Sequence, residues 1–298
     1  DAGKRTYRNC LFAGNHCSDS MDIIKYGGII TVKSGSVFEN CTVVSNRIAT
    51  ASKSKAGATR PAVIANGTVR NCIIADNSVQ HLQADYGGGA ALSNGRLENC
   101  LVTGNSAIYG GGVALAGGGK VRNCTIVDNY AFYNGGVGSN GDNNMPTMID
   151  CIVWGNGETV ENNQTAKQLR TLGATPLANL RNLCTDYALG AGGLAADPLF
   201  ADSVTYALTK DSPCIGAGEN GGDLGWKPYA PSAFEVGLSF LGVEPLDAGD
   251  IVFTATARGT DATDVTCSSK VDDGAWGDYS SETALTAALA AGLHTVAV

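Results

Sequence analysis

An asparagine-cysteine pair recurs along this chain, and each time a residue five after the cysteine is again asparagine. The copies are Tyr7-Arg8-Asn9-Cys10, Phe38-Glu39-Asn40-Cys41, Val69-Arg70-Asn71-Cys72, Leu97-Glu98-Asn99-Cys100 and Val121-Arg122-Asn123-Cys124, with a divergent sixth, Met148-Ile149-Asp150-Cys151. The asparagines that follow are Asn15, Asn46, Asn77, Asn105, Asn129 and Asn156. Successive cysteines are 24 to 31 residues apart, so a fixed core alternates with elastic spacers. That pattern describes stacked coils whose strands are constrained and whose turns are free to vary in length.

Two positions after each cysteine stand Phe12, Val43, Ile74, Val102, Ile126 and Val153, apolar in every copy. Cysteine and this position have strand spacing and should share the inward face, while no helical period fits the same windows. A unit this short buries its apolar face only against the coil above and the coil below. The expected fold is therefore all-β, a parallel β-helix with rungs about 4.8 Å apart. Its side chains should stack as columns. The asparagines should form amide ladders at turns, where Asn tolerates left-handed backbone. The column Arg8, Glu39, Arg70, Glu98, Arg122 alternates in sign and should become a ladder of ion pairs. A glycine-rich column follows Tyr26, Tyr86, Tyr109 and Tyr133 and leads each time into another apolar run. Two or three strands per coil both satisfy this pattern. In the coil after Cys41 the glycines give way to Ser52-Lys53-Ser54-Lys55 and Ala58-Thr59-Arg60-Pro61, which reads as a longer, solvated turn, with a binding loop projecting from the rod as the alternative.

Forty glycines without a three-residue period fit turn-rich β structure and exclude collagen. A formal charge of −8 argues against a nucleic-acid partner, since phosphate binding needs concentrated Lys and Arg. No apolar run reaches membrane-spanning length. Of ten cysteines, Cys10, Cys41, Cys72, Cys100, Cys124 and Cys151 fall in one inward column. Rung spacing exceeds the Cβ separation of a disulfide, so these should be buried thiols packing as small apolar groups. Cys17, Cys184, Cys214 and Cys267 lie outside it, and Cys184 with Cys214 is the expected bridge. Scarce histidine and the lack of a Cys-x-x-Cys pair argue against zinc. Calcium at Asn140-Gly141-Asp142-Asn143-Asn144 is the one cofactor the oxygen ligands allow, and few carboxylates support it.

After Trp154 the repeat stops, and residues 157–230 should cap the solenoid that occupies 1–230. From 235 to 298 the alternation in Ile251–Ala257 and Gly292–Val298, with turns between, suggests a β-sandwich whose last strand is missing. Two groups of side chains are candidates for chemistry. Asp76 and Asp128 share the position four after cysteine, two coils apart, as a carboxylate pair would; Gly14, Ser45, Gly104 and Gly155 occupy it elsewhere, which favours a turn. His81, Tyr109 and Tyr133 share the position nine after cysteine, a short file that could stack on sugar rings or on backbone.

The Asn-Cys…Gly-Asn and Gly-Gly-Gly repeats resemble right-handed parallel β-helix proteins of the pectin-lyase-like superfamily, especially the bacterial branch with polymorphic outer-membrane-protein repeats. Cys151-Ile152-Val153-Trp154-Gly155-Asn156, Asp197-Pro198-Leu199-Phe200 and Ser212-Pro213-Cys214-Ile215-Gly216-Ala217-Gly218 are similar to secreted β-helix proteins with choice-of-anchor tails, and Val271-Asp272-Asp273-Gly274-Ala275-Trp276 to a bacterial immunoglobulin-like repeat. The resemblance implies a right-handed helix and a secreted or cell-surface location. It also implies an adhesin-like monomeric scaffold for a glycan or surface ligand, with a polysaccharide lyase or glycoside hydrolase as the alternative.

Overall fold

The computed structural model describes residues 4–19, 28–50, 61–81, 87–139, 147–158, 169–171 and 179–229, and beyond them 235–240, 249–258, 270–272, 274–275, 284–289 and 296–297. Asp1–Tyr229 and Ala230–Val298 are separate compact units.

The first unit is a parallel β-solenoid. Each full coil holds four short strands, more than the two or three that the sequence suggested. In the second coil they are Val37–Glu39, Thr42–Val44, Arg47–Thr50 and Val63–Ala65. Each stacks in register on its equivalents: Phe38 lies between Tyr7 and Val69, and Val43 between Phe12 and Ile74. The strands after asparagine and after glycine build two six-stranded sheets. Those before and after cysteine are joined into one sheet by a continuous last strand, Thr147–Trp154. Phe38, Val69, Leu97, Val121 and Met148 point inward from the strands before cysteine, and Val43, Ile74, Val102, Ile126 and Val153 from those after it, all fully buried. The expected inward column of Cys41, Cys72, Cys100, Cys124 and Cys151 is buried with them, and Cys10 in the first coil is partly open.

Two left-handed corners separate the strands around each cysteine. The first is the asparagine before cysteine: Asn9, Asn40, Asn71, Asn99 and Asn123 have φ between 49° and 55°. The second is the residue before the stacking asparagine: Gly14, Ser45, Asp76, Gly104, Asp128 and Gly155, with φ between 54° and 63°. Glycine, asparagine and aspartate reach this region at least cost. The stacking asparagines are therefore not themselves the left-handed residues; they follow one.

A corner turns the next N–H out of the strand ladder, and a side chain from the neighbouring coil receives it. Asn46 N–H and the Asn46 side-chain amide both donate to Asn77 Oδ1, at 3.0 and 2.9 Å. Asn77 does the same to Asn105, and Asn105 to Asn129. Each amide also reaches back to a carbonyl of the preceding coil, as Asn105 does to Ile74 at 2.9 Å. The cysteines serve the other corner. Cys41 N–H donates to Cys72 Sγ at 3.4 Å, and Cys72 N–H to Cys100 Sγ at 3.4 Å. Each thiol in turn donates to the carbonyl two residues earlier, as Cys72 does to Arg70 at 3.1 Å. The thiols are therefore working hydrogen-bond partners and not merely small apolar filler.

The charge column forms only in part. Glu39 receives Arg8 on one side and Arg70 on the other, and hydrogen bonds from Arg70 and then Arg8 hold its carboxyl below the usual range. Glu98 pairs instead with Arg96 of its own strand at 3.8 Å, while Arg122 turns to Asp150 and to Glu219 at 2.6 Å.

Strand Leu180–Thr185 adds to Thr147–Trp154, and Leu194–Ala195 to Leu180–Thr185. The chain beyond it does not simply close the end as a cap would. It folds back along the outer face of the strands after cysteine, where Phe200, Tyr206 and Trp226 cover Leu101 and Val127, and Leu208, Cys214 and Leu224 cover Ile152. Asp150, only 3% exposed, anchors this segment. Its carboxylate accepts the Glu219 N–H at 2.9 Å and the Asn182 amide at 2.8 Å, and its carbonyl accepts the Gly225 N–H at 3.0 Å. Aspartate suits a site surrounded by donors because it only accepts. This explains why the sixth copy departs from asparagine.

In the second unit Glu235–Phe240, Gly249–Arg258 and Ala284–Leu289 form an antiparallel three-stranded sheet, and Lys270–Val271 pairs with Val296–Ala297.

Replacing Asn105 by Ala leaves the buried Asn77 N–H without its acceptor and takes from the Asn77 amide one of its two acceptors, leaving the Val43 carbonyl at 3.0 Å. Urea unfolding followed by Trp154 and Trp226 fluorescence should show a loss of about 3 kcal/mol, since each orphaned buried group costs about 1–3 kcal/mol. A loss under about 1 kcal/mol, the size of one ordinary hydrogen bond, would contradict the ladder.

Candidate functional site

The strand after the stacking asparagine carries the aromatic candidates. In the fifth coil this strand is Tyr130–Tyr133, paired to Ser106–Tyr109 with Tyr109 opposite Tyr133. Strict register stacks the two rings 4.8 Å apart and 18° from parallel. Phe132 meets Tyr133 edge-on at 4.7 Å. Strand alternation buries Ala131 and turns Tyr130 and Phe132 outward, where they are 50% and 43% exposed. Tyr130 lies over Gly157 of the next coil, where an added Cβ would come 3.0 Å from its Cδ2. Glycine there leaves a flat floor for the ring. Tyr109 and Tyr133 are thus brought together as the sequence pattern suggests. His81 ends strand Ser78–His81 opposite Thr50, and its side chain lies outside the described residues. Tyr130 and Phe132 were not singled out by the sequence, because they break the repeat: Ser106 and Ile108 hold the same positions one coil earlier. A departure from the column on an outward position is the signal that could have found them.

The carboxylates occupy the second corner. Asp76 and Asp128 are exposed left-handed turn residues, both at φ 54°. The glycines one coil further on make room for them: a Cβ on Gly104 would lie 2.1 Å from Asp76 Oδ1, and one on Gly155 2.8 Å from Asp128 Oδ1. Asp128 Oδ2 accepts a hydrogen bond of 2.7 Å from the Tyr206 hydroxyl, which itself accepts one of 3.1 Å from Thr103. Tyr206 belongs to the folded-back segment, so Asp128 tethers that segment to the coil. Tyr206 stands outside the repeat and had no positional signal in the sequence.

Residues 6–173, more than half of the chain, match the family model described as a right handed beta helix region. The chain belongs to the right-handed β-helix family. No curated protein and no solved structure matches it.

Around this β-helix the described residues include no helix long and apolar enough to cross a membrane. Among them, no group of three or more His, Cys, Asp and Glu gathers as metal ligands would. The 140–144 loop considered for calcium and the 51–60 insert lie outside the described residues.

Burial, and then the hydrogen bond to Asp128, push the Tyr206 phenol up to about 12, from an ordinary value near 10. The folded-state value is the higher one, so this contribution to stability is intact below pH about 10 and drains away as pH rises from about 10 to about 12. Tyr187, raised to about 12 chiefly by burial, acts in the same direction. Tyr206→Phe should cost about 1 kcal/mol at pH 8 and flatten the loss of urea stability between pH 10 and 12. Parallel alkaline limbs in wild type and variant would contradict the assignment.

Proposed function

We propose that this β-helix is a secreted or cell-surface scaffold of the pectin-lyase-like superfamily, adhesin-like, that binds glycans along the strip made by Tyr130, Phe132, Tyr133 and Tyr109. The observation that carries this reading is the pair of half-exposed rings, Tyr130 and Phe132, on an ordered strand. Aromatic faces fixed on rigid backbone suit the apolar faces of sugars, and little side-chain entropy remains to be lost on binding. The antiparallel strands of the second unit fit the immunoglobulin-like module of such surface proteins.

A second reading has one observation in its favour. Asp76 and Asp128 share a corner column with Thr103 and the Tyr206 hydroxyl beside them, and two coils separate carboxylates by roughly 10 Å, near the inverting range. The Asp128–Tyr206 tether weighs against it, because that carboxylate already serves the fold.

An array of neutral and uronic-acid glycans, followed by calorimetry on any hit, tests both. Binding should fall at least about tenfold in Tyr130→Ala combined with Phe132→Ala, with the unfolding midpoint little changed. Undiminished affinity in that variant would sink the aromatic site. Turnover of a polysaccharide that disappears in Asp76→Asn or Asp128→Asn would replace the scaffold with an enzyme.

A further inference from the structure

Two cysteines outside the stacked column meet where the folded-back segment covers the last coil. Cys184 lies in strand Leu180–Thr185, and Cys214 in the segment that returns over it. The structure holds both as free thiols rather than as the bridge the sequence suggests. Both are completely buried, and with Ile152, Leu208 and Leu224 they form one apolar cluster. Their thiols are near enough to share a hydrogen bond. Contact alone does not single them out, because the column thiols also touch their neighbours. Column cysteines, however, leave parallel strands in register about 4.8 Å apart, wider than the Cβ separation of a disulfide. Their sulfurs also accept the corner N–H groups, as Cys72 Sγ does from Cys41, whereas Cys184 Sγ donates to the Ala196 carbonyl at 3.1 Å. Cys184 and Cys214 belong to no common ladder, so no strand register holds them apart.

We propose that Cys184 and Cys214 form a disulfide that fastens the folded-back segment to the last coil when the protein folds in the presence of a disulfide donor such as oxidised glutathione. One cysteine thiolate attacks the donor's sulfur, and the first glutathione leaves as its thiolate. The second cysteine thiolate then attacks the cysteine sulfur of the mixed disulfide and releases the second glutathione. The two thiol protons end on the two glutathione molecules, so the pair is oxidised and the donor reduced. Burial of both sulfurs requires the exchange to finish before the segment closes. The bond would hold in place the same cover that Asp150 and Asp128 hold through hydrogen bonds, and it does not depend on the glycan-binding reading.

The test is refolding of the full chain with reduced and oxidised glutathione, then alkylation in denaturant and peptide mapping by mass spectrometry. A linked peptide containing Cys184 and Cys214 is expected, with the column cysteines alkylated. Alkyl label on both Cys184 and Cys214, or a link from either to another cysteine, overturns the proposal. A second readout needs no variant to fold: in the oxidised wild type, adding reductant should speed proteolysis within 197–229 by at least about tenfold. An unchanged cleavage rate would show that the segment is not fastened by this bond.

Discussion

Backbone that turns a left-handed corner must place its next N–H somewhere other than the strand ladder. In this solenoid that proton goes to a side chain of the adjacent coil, to asparagine Oδ1 at one corner and to cysteine Sγ at the other. Everything else about the rod follows from that requirement. The cysteine and asparagine must recur at a fixed separation of five residues, because both corners and the strand between them repeat in every coil. The spacers are free because no corner acceptor comes from them. An amide column of this kind, buried and mutually satisfied, also fixes register: slipping one coil by one residue would leave every corner donor unpaired in a medium where that is costly.

The same rigidity determines where function can lie. Inward positions are committed to packing and corner positions to turns, so only outward positions are free to vary. Two departures from the repeat occupy them. One is the face covered by the folded-back segment, where Asp150, Asp128 and Thr125 supply the polar contacts and Leu101, Val127 and Ile152 the apolar ones. The other is the aromatic strip, where Tyr130 and Phe132 stand on a strand that register holds against Tyr109.

Repetition made the solenoid legible, and it also concealed the rest. Interior columns such as Val43–Ile74–Val102 and the turn four residues after each cysteine could be read because six copies average away local accident, whereas the left-handed corner at the asparagine before cysteine was not singled out. The hydrogen bonding of the thiols could not, since burial and sulfur chemistry predict the same residue whether it packs or bonds. Four strands per coil escaped notice because each is only three or four residues long, too short for alternation to register. The folded-back segment and Tyr206 carry no repeat at all, and their contacts span 78 to 103 residues of sequence. Glu98 shows the limit of pattern reading for charges: its column predicted neighbours across the rungs, and Arg96, two residues away on the same strand, took it instead.

Hydrogen exchange at the corners tests the central claim most directly. Amide protection measured residue by residue should be as high at Asn46, Asn77, Asn105, Cys41 and Cys72 as at the strand residues Val43 and Ile74, because every one of these N–H groups is buried and bonded. Corner amides that exchange within seconds, while Val43 and Ile74 stay protected, would mean that the side-chain ladders do not close the backbone and that strand pairing alone holds the coils together.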